Sequence, residues 1–446
     1  MERSRMIRLS TGWSSGAVLQ HSEPQQLSGS AAPQQLLRVT LQSQHKLYQV
    51  ETHTDAQGVF SVDIPPQPPS GPWTCTITLA DVVLVSLHDL WFGQLLLFAG
   101  QSNVGWPLAR YPEQLAAAQQ QLRAADDLCN VRCYVADPAD MHAAGQWLQQ
   151  NRTSCPQWPA LLYHFSHEYA ASTLSSNGSM MLGLVDLSWP GSAIDAWTEA
   201  PVVASSPWQP GALFAARLAP WLQQPFAALL WYQGEQDAMG KEAARYGDKL
   251  QHWLHSCRRY AGWDFPLLLV QIAGFGRPGL PDLQHGFVQV RLAQQQFAAV
   301  TPNCALVSAA DLGDVQDIHP PLKAELARRL VLALAALLSG QRTAGLWLAT
   351  LQQHSAATFL QLPLQAGAAR WQSRMSPLPG FYCMNAKGRI REVQAALSAD
   401  GQQILLQLPP ETSMLLYGMS AQPQLSLYTA QGEPLLPQKW SVPAAY

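Results

Sequence analysis

Four short blocks of this sequence hold side chains that chemistry can use. The first, Ala99-Gly100-Gln101-Ser102-Asn103, sets a serine in a glycine-assisted turn. There its Oγ can act as a nucleophile and its N–H can face an anion. The second, Leu187-Ser188-Trp189-Pro190-Gly191-Ser192, contains a glycine whose missing Cβ lets backbone approach a ligand. The third is Trp231-Tyr232-Gln233-Gly234-Glu235-Gln236-Asp237. Its aromatics can wall a pocket, and Gln233 offers an amide N–H that stays neutral at any pH and suits a developing oxyanion. The fourth, Asp311-Leu312-Gly313-Asp314-Val315-Gln316-Asp317-Ile318-His319-Pro320, sets three acids before one histidine. A carboxylate beside imidazole fixes its tautomer and stabilises the imidazolium formed when the ring takes a proton.

Taken singly, each block has a commoner structural use. A serine in a strand-to-helix loop usually caps the helix, Pro-Gly is an ordinary turn, Trp231 and Tyr232 can be core, and a histidine before a helix is often a surface residue. Together they supply a nucleophile, an oxyanion hole and a base in chain order, the minimum set for acyl transfer.

Such blocks need strand ends to hold them. Short apolar runs at 95–99, 181–187, 227–232, 266–273 and 305–309 alternate with helical stretches at 113–126, 211–223, 240–260 and 321–338. That alternation predicts a mostly parallel sheet covered on both faces, with the site on loops at the carboxyl ends of its strands. Before residue 93 the runs are short, alternating and separated by turns such as Asp55-Ala56-Gln57-Gly58, and β-like runs return after 342. The expected organisation is a β-sandwich-like region over 1–92, an α/β domain over 93–342 and a β-rich region over 343–446.

Composition narrows the partners. The chain has 446 residues, and 27 Lys and Arg against 30 Asp and Glu leave a net charge of −3. With no basic run, neither nucleic acid nor an anionic membrane is expected as a partner. The longest apolar stretch, 330–338, is far short of the roughly 20 residues that span a bilayer. Met1-Glu2-Arg3-Ser4-Arg5 leads into a polar segment rather than an apolar one, so a cytoplasmic location is expected, with periplasm or secretion as alternatives. The cysteines, at 75, 129, 133, 155, 257, 304 and 383, are scattered and odd in number, and predict neither a disulfide nor a zinc framework.

The order of the four blocks resembles the SGNH hydrolases, and their wording resembles the sialate O-acetylesterase branch. That branch typically reads Gly-Gln-Ser-Asn-Met, Ser-Trp-Gly-Gly, Trp-Tyr-Gln-Gly-Glu-Ser and Asp-Ile-His-Pro. The likeness extends from Gly16-Ala17-Val18-Leu19-Gln20 to Leu427-Tyr428. It implies an SGNH-like sheet-and-helix domain flanked by β-rich regions, with Ser102 as nucleophile and His319 as general base. Ser102 N–H, Gly191 N–H and the Gln233 side chain would form the oxyanion hole. Trp106, Trp189, Trp197 and Trp231 would stack on a sugar, and Glu235 would orient neighbours or contact substrate. Asp317, two residues before the histidine, is the expected third member, with a Ser–His dyad as fallback because Gln316 stands where many SGNH enzymes carry Asp. Departures are Val104 for Met, Gly105 for a polar residue, Pro190 for Gly, and Gln236-Asp237 for Ser-Asn.

Other signals carry less. Gly274-Phe275-Gly276-Arg277-Pro278-Gly279 matches a dinucleotide fingerprint, but Pro278 and Pro281 disfavour the helix that a pyrophosphate needs. His164 and His167 fall at helical spacing without a distant third ligand, so no metal is expected, and no cofactor. Asn151 and Asn177 head glycosylation acceptor triplets. The expectation is a serine esterase removing O-acetyl groups from carbohydrate, with O-acetylated sialic acid as leading substrate and Arg110, Arg277 or Arg291 to meet its carboxylate. An acetylxylan- or xyloglucan-type polysaccharide is the alternative substrate, and an inactive carbohydrate-binding protein is the answer from another class. Oligomeric state is not legible.

Overall fold

Period-two patterning is clearest near the start of the chain. Leu37, Val39 and Leu41 of β4 (Leu36–Gln42) and Phe60, Val62 and Ile64 of β6 (Val59–Ile64) turn inward while their neighbours face out. The computed structural model describes residues 7–122, 130–173, 180–200, 206–341, 348–354, 357–362, 370–373 and 375–442. The chain divides into two compact units, Met1–Leu230 with Trp253–Pro266, and Trp231–His252 with Leu267–Tyr446.

In the first unit β1 (Arg8–Leu9), β3 (Gln25–Ser30) and β6 form a three-stranded antiparallel sheet. Strand β4 pairs antiparallel with β5 (Leu47–His53) and β7 (Ser70–Leu79), and β7 with β8 (Val82–Gly100). Trp13, Leu27, Val39, Phe60, Trp73 and Phe92 belong to their shared core. Strand β8 is 19 residues long and passes residue 92 without a break. Its side chains are mostly exposed or half-buried through Asp89 and continuously buried from Phe92 to Gly100. The change of texture near residue 93 is therefore a change in what covers one strand.

Over its buried half β8 pairs in parallel with β2 (Val18–Gln20) and β11 (Leu182–Asp186). Beyond β11 lie β9 (Val131–Val135), parallel to it, and β10 (Gln146–Gln149), antiparallel to β9. Helices α1 (Ser102–Gly105), α2 (Pro112–Gln121), α3 (Ala160–Thr173) and α4 (Ala219–Leu222) also belong to this unit, α4 being preceded by a π-helical turn at Phe214–Leu218. Strand β12 (Ala228–Tyr232) begins here, with Ala227 N–H bonded to Leu95 O at 2.8 Å.

The second unit contains α5 (Glu235–Met239), the first turns of α6 (Tyr246–Ala261), and a parallel pair, β13 (Leu267–Gln271) and β14 (Cys304–Ser308). Both strands are buried at every position, as their unbroken apolar runs require. Helix α7 (Gly286–Val300) lies between them in sequence. Helix α8 (Lys323–Leu338) follows, and Gly340 beyond its end has φ +82°, the left-handed residue that closes many helices. Two four-stranded antiparallel sheets end the chain. One has the order β15 (Thr350–His354), β16 (Ala357–Gln361), β20 (Gln403–Leu406), β19 (Ala395–Leu397). The other runs β18 (Ile390–Glu392), β17 (Phe381–Asn385), β21 (Thr412–Tyr417), β22 (Gln438–Ser441). Leu360, Trp371, Phe381, Ile404, Leu415 and Tyr417 are buried in their common core. Among the described residues, no helix is long and apolar enough to cross a membrane.

Candidate active site

On the first unit, β8 ends in Gly100, whose φ of +137° suits glycine and turns the chain sharply before Ser102. Ser102 opens the one-turn α1, which is closed by Val104 N–H to Gln101 O and Trp106 N–H to Ser102 O, both 2.9 Å. The side chain is 5% exposed. The loop after β11 is stitched to this turn: Leu187 N–H reaches Phe98 O at 2.8 Å and Trp189 N–H reaches Gly100 O at 2.9 Å. A Cβ at Gly105 would sit 1.9 Å from Ser188 Oγ and 3.2 Å from Asp186 Oδ2. Packing thus explains why glycine replaces the polar residue of the resembling branch.

Trp189-Pro190-Gly191-Ser192 is a tight turn with Pro before a glycine at φ +65°, the residue preference of a type II turn. Gly191 is exposed, and Ser192 fixes the turn from behind, donating to Trp189 O at 2.8 Å and accepting from Trp197 Nε1 at 2.8 Å. Beneath it Arg217 is 5% exposed, lies 4.7 Å from the Trp189 ring centre and donates to Ser188 O, Asp137 O and Asp140 O. Burial pushes the neighbouring Asp186 carboxyl above the usual carboxylate range, against the pull of Ser188 and Arg217.

On the second unit, Gly234 has φ +141°, and a Cβ there would meet Val290 Cγ1 at 2.8 Å. Gln233 is fully buried. Its Nε2 donates to Asp237 Oδ2 at 2.6 Å, and the single Tyr246 O–H is shared between its Oε1 and its carbonyl, each 3.0 Å away. These bonds fix which end of the amide carries N–H. Asp237, which replaces Asn of the resembling branch, is therefore the residue that orients Gln233.

The histidine loop is held by charge. Asp311 forms a bidentate pair with Arg329 of α8, at 2.7 and 2.8 Å, so it anchors the loop and is committed to that task. Asp314 Oδ1 accepts from Gln316 N–H at 2.7 Å and Asp317 N–H at 2.9 Å, and these bonds hold its carboxyl below the usual range. Asp317 Oδ1 accepts from His319 N–H at 2.8 Å and faces His319 Nδ1 at 3.0 Å. That contact places a proton on Nδ1 and leaves Nε2 as the basic nitrogen. Just beyond, Lys323 is 2% exposed, with Nζ 5.9 Å from the Tyr232 ring centre. Burial lowers its pKa to about 7, partly offset by Glu235 and Asp317.

Several expected roles are corrected by burial. Trp197 and Trp231 are 0% exposed and are core, so neither can offer a face to a sugar. Glu235 is 1% exposed and faces Lys323 electrostatically rather than solvent. Trp189 is 7% exposed with the buried Arg217 guanidinium 4.7 Å from its ring centre, whereas Trp106 stays half-buried with the exposed Arg110 guanidinium 5.0 Å from its own. Arg291 is 1% exposed and spent on Ala273 O, Ser420 O and Ala421 O. In the dinucleotide-like stretch no helix begins before Gly286, and a Cβ at Gly274 would strike Gln422 Oε1 at 2.4 Å, so that glycine serves packing. His164 bonds Gln114 at 2.7 Å, and Asn177 lies outside the described residues. Sequence reasoning missed Arg217, Lys323 and Trp208. Only Trp208, an aromatic between Pro207 and Pro210 in a loop, carries a local signal.

Comparison with known proteins adds an independent finding. Residues 93–337, more than half of the chain, match the model of a family described as "Carbohydrate esterase, sialic acid-specific acetylesterase". Curated sialate O-acetylesterases of Pongo abelii and Homo sapiens are each 25% identical over 343 residues, which cover 67% of this chain and 63% of theirs. The chain therefore spans somewhat less than two thirds of those relatives. A solved carbohydrate acetylesterase from Xanthomonas citri superposes with a TM-score of 0.84 at 24% identity, covering 98% of this chain and all of that one, which shows a shared fold.

Proposed function

Because this chain belongs to the sialic acid-specific acetylesterase family of carbohydrate esterases, we propose that it is a serine esterase that removes O-acetyl groups from carbohydrate. The observation that carries this reading is the Asp317–His319 contact at 3.0 Å, which leaves one ring nitrogen basic. In the proposed cycle His319 Nε2 takes the Ser102 proton as Oγ attacks the acetyl carbonyl. The tetrahedral oxyanion is met by the N–H groups of Ser102 and Gly191 and by Gln233 Nε2, each such donor being worth about 3–4 kcal/mol. Collapse expels the sugar oxygen, which takes the proton from His319 and leaves acetyl-Ser102. Water, deprotonated by His319, then attacks the acyl-enzyme, and acetate departs as Ser102 regains its proton.

The favoured substrate is an O-acetylated sialic acid. Its carboxylate would be met by Arg110, an exposed cation in the 3-10 turn that follows α1. Acetylated xylan or xyloglucan, the alternative, would make no use of that cation. Replacing Ser102 by Ala is expected to reduce hydrolysis of an aryl acetate by at least about 10⁴-fold. Wild-type turnover by that variant would overturn the mechanism, and acetate release from acetylxylan but not from acetylated mucin would overturn the substrate.

A further inference from the structure

Most large aromatic rings near the family's motifs are buried, but Trp208 is 60% exposed. Its place is specific. Ring atoms Cζ3 and Cη2 lie 3.7 and 3.8 Å from where a Cβ on Gly191 would stand, so the edge of the indole borders the exposed Pro190-Gly191 turn.

The loop that carries it is well tied. Gln209 N–H bonds Ser206 O at 3.1 Å, Ala212 N–H bonds Gln209 O at 3.2 Å, and Gly211 N–H bonds Asp195 O at 3.0 Å. Gly211 has φ +77°, and a Cβ there would meet Ala200 Cβ at 2.7 Å, so a second close approach fixes where the loop turns. A ring that packed merely to hold the turn would be covered, whereas this one leaves most of its surface to solvent beside the backbone N–H proposed for the oxyanion hole.

We propose that Trp208 is a positioning residue for substrate: the apolar C–H face of the acetylated pyranose stacks on its indole while the ester carbonyl approaches Gly191 N–H. The inference rests on the esterase reading above and deepens it. It names the sugar ring as what Trp208 recognises, alongside the carboxylate assigned to Arg110. Stacking of this kind is worth about tenfold in affinity or rate.

The test compares wild type, Trp208→Ala and Trp208→Phe on an O-acetylated methyl pyranoside and on 4-nitrophenyl acetate, which has no sugar. The ratio of the two kcat/KM values is expected to fall about tenfold in Trp208→Ala, chiefly through KM for the sugar ester, and to recover in Trp208→Phe. An unchanged ratio overturns the proposal, whether both activities stay or both fall, since loss of both would mark a prop for the Gly191 turn. Titration calorimetry of the acetylated pyranoside into Ser102→Ala, with and without Trp208→Ala, keeps the two readings apart. If the wild type hydrolyses neither ester, the esterase reading fails. Trp208 is then judged by binding alone: an unchanged Kd overturns it, and a tenfold weaker one supports it.

Discussion

The two units position their chemical groups by different means. On the first, Ser102 and Gly191 are set by backbone: strand-to-loop N–H bonds, glycines at +137° and +65°, and at Gly105 a contact too close for any side chain. Charge lies underneath, in Arg217 and Asp186, and is buried. On the second, the histidine loop is set by carboxylates in sequence, Asp311 on Arg329, Asp314 on two backbone N–H groups and Asp317 on His319. As the proposed nucleophile, Ser102 must be in one place, which close packing secures. As the proposed base, His319 must also hold one tautomer, which a directed hydrogen bond secures. The first unit should therefore answer to added volume and the second to lost charge.

The largest effect expected from that contrast is at Asp317. Replacement by Asn keeps the size but lets Nδ1 lose its proton to the wrong tautomer, and kcat should fall about 10³-fold with little change in KM. The side chain is 56% exposed, so the loss should be smaller than for a fully buried partner. A drop of less than tenfold would show that His319 works as half of a Ser–His dyad. The next effect is steric. Gly105→Ala brings a Cβ against Ser188, whose hydroxyl can rotate away but whose own Cβ is also within 3.2 Å. About 2 kcal/mol of stability and roughly tenfold in kcat should be lost, measured by denaturant midpoint and aryl acetate turnover. Adding Ser188→Gly should restore part of both; if it restores neither, volume is not what sets this loop.

That contrast also explains what could be read before folding. Strands such as Leu267–Gln271 and Cys304–Ser308 announce themselves because complete burial demands an unbroken apolar run. Ser102, Gly191, Gln233, Asp317 and His319 stand out as candidates because they sit in compact blocks whose order is itself a pattern. Exposure was not legible. Trp197 and Trp208 are the same residue type eleven positions apart, yet one is at 0% and the other at 60%. The prolines on either side of Trp208 mark a loop but do not say how much of its ring is covered. Gly105 shows the same limit, since Ser188 and Asp186, which demand it, lie more than 80 residues away. Near residue 92 the covering of β8 changes while the strand itself continues.

The smallest expected effect is on stability against pH, and here the two units should differ in sign. In the second, burial lowers the pKa of Lys323 from 10.5 to about 7. Between those values the unfolded chain holds a proton that the folded one has released, so stability rises with pH. This contribution is complete above about 10.5 and disappears as pH falls through about 7. In the first unit Asp186 is raised by burial from 3.8, so its contribution is complete below 3.8 and is lost as pH rises through the folded value. Urea unfolding of wild type and Lys323→Met from pH 7 to 9 should therefore show the wild type gaining on the variant by up to about 1.4 kcal/mol per pH unit. The corresponding comparison with Asp186→Asn should show wild type losing ground as pH rises above 4. Parallel curves for the lysine pair would mean that Glu235 and Asp317 keep Lys323 charged at neutral pH, making the second unit's interior a compensated ion cluster rather than a site of stored desolvation.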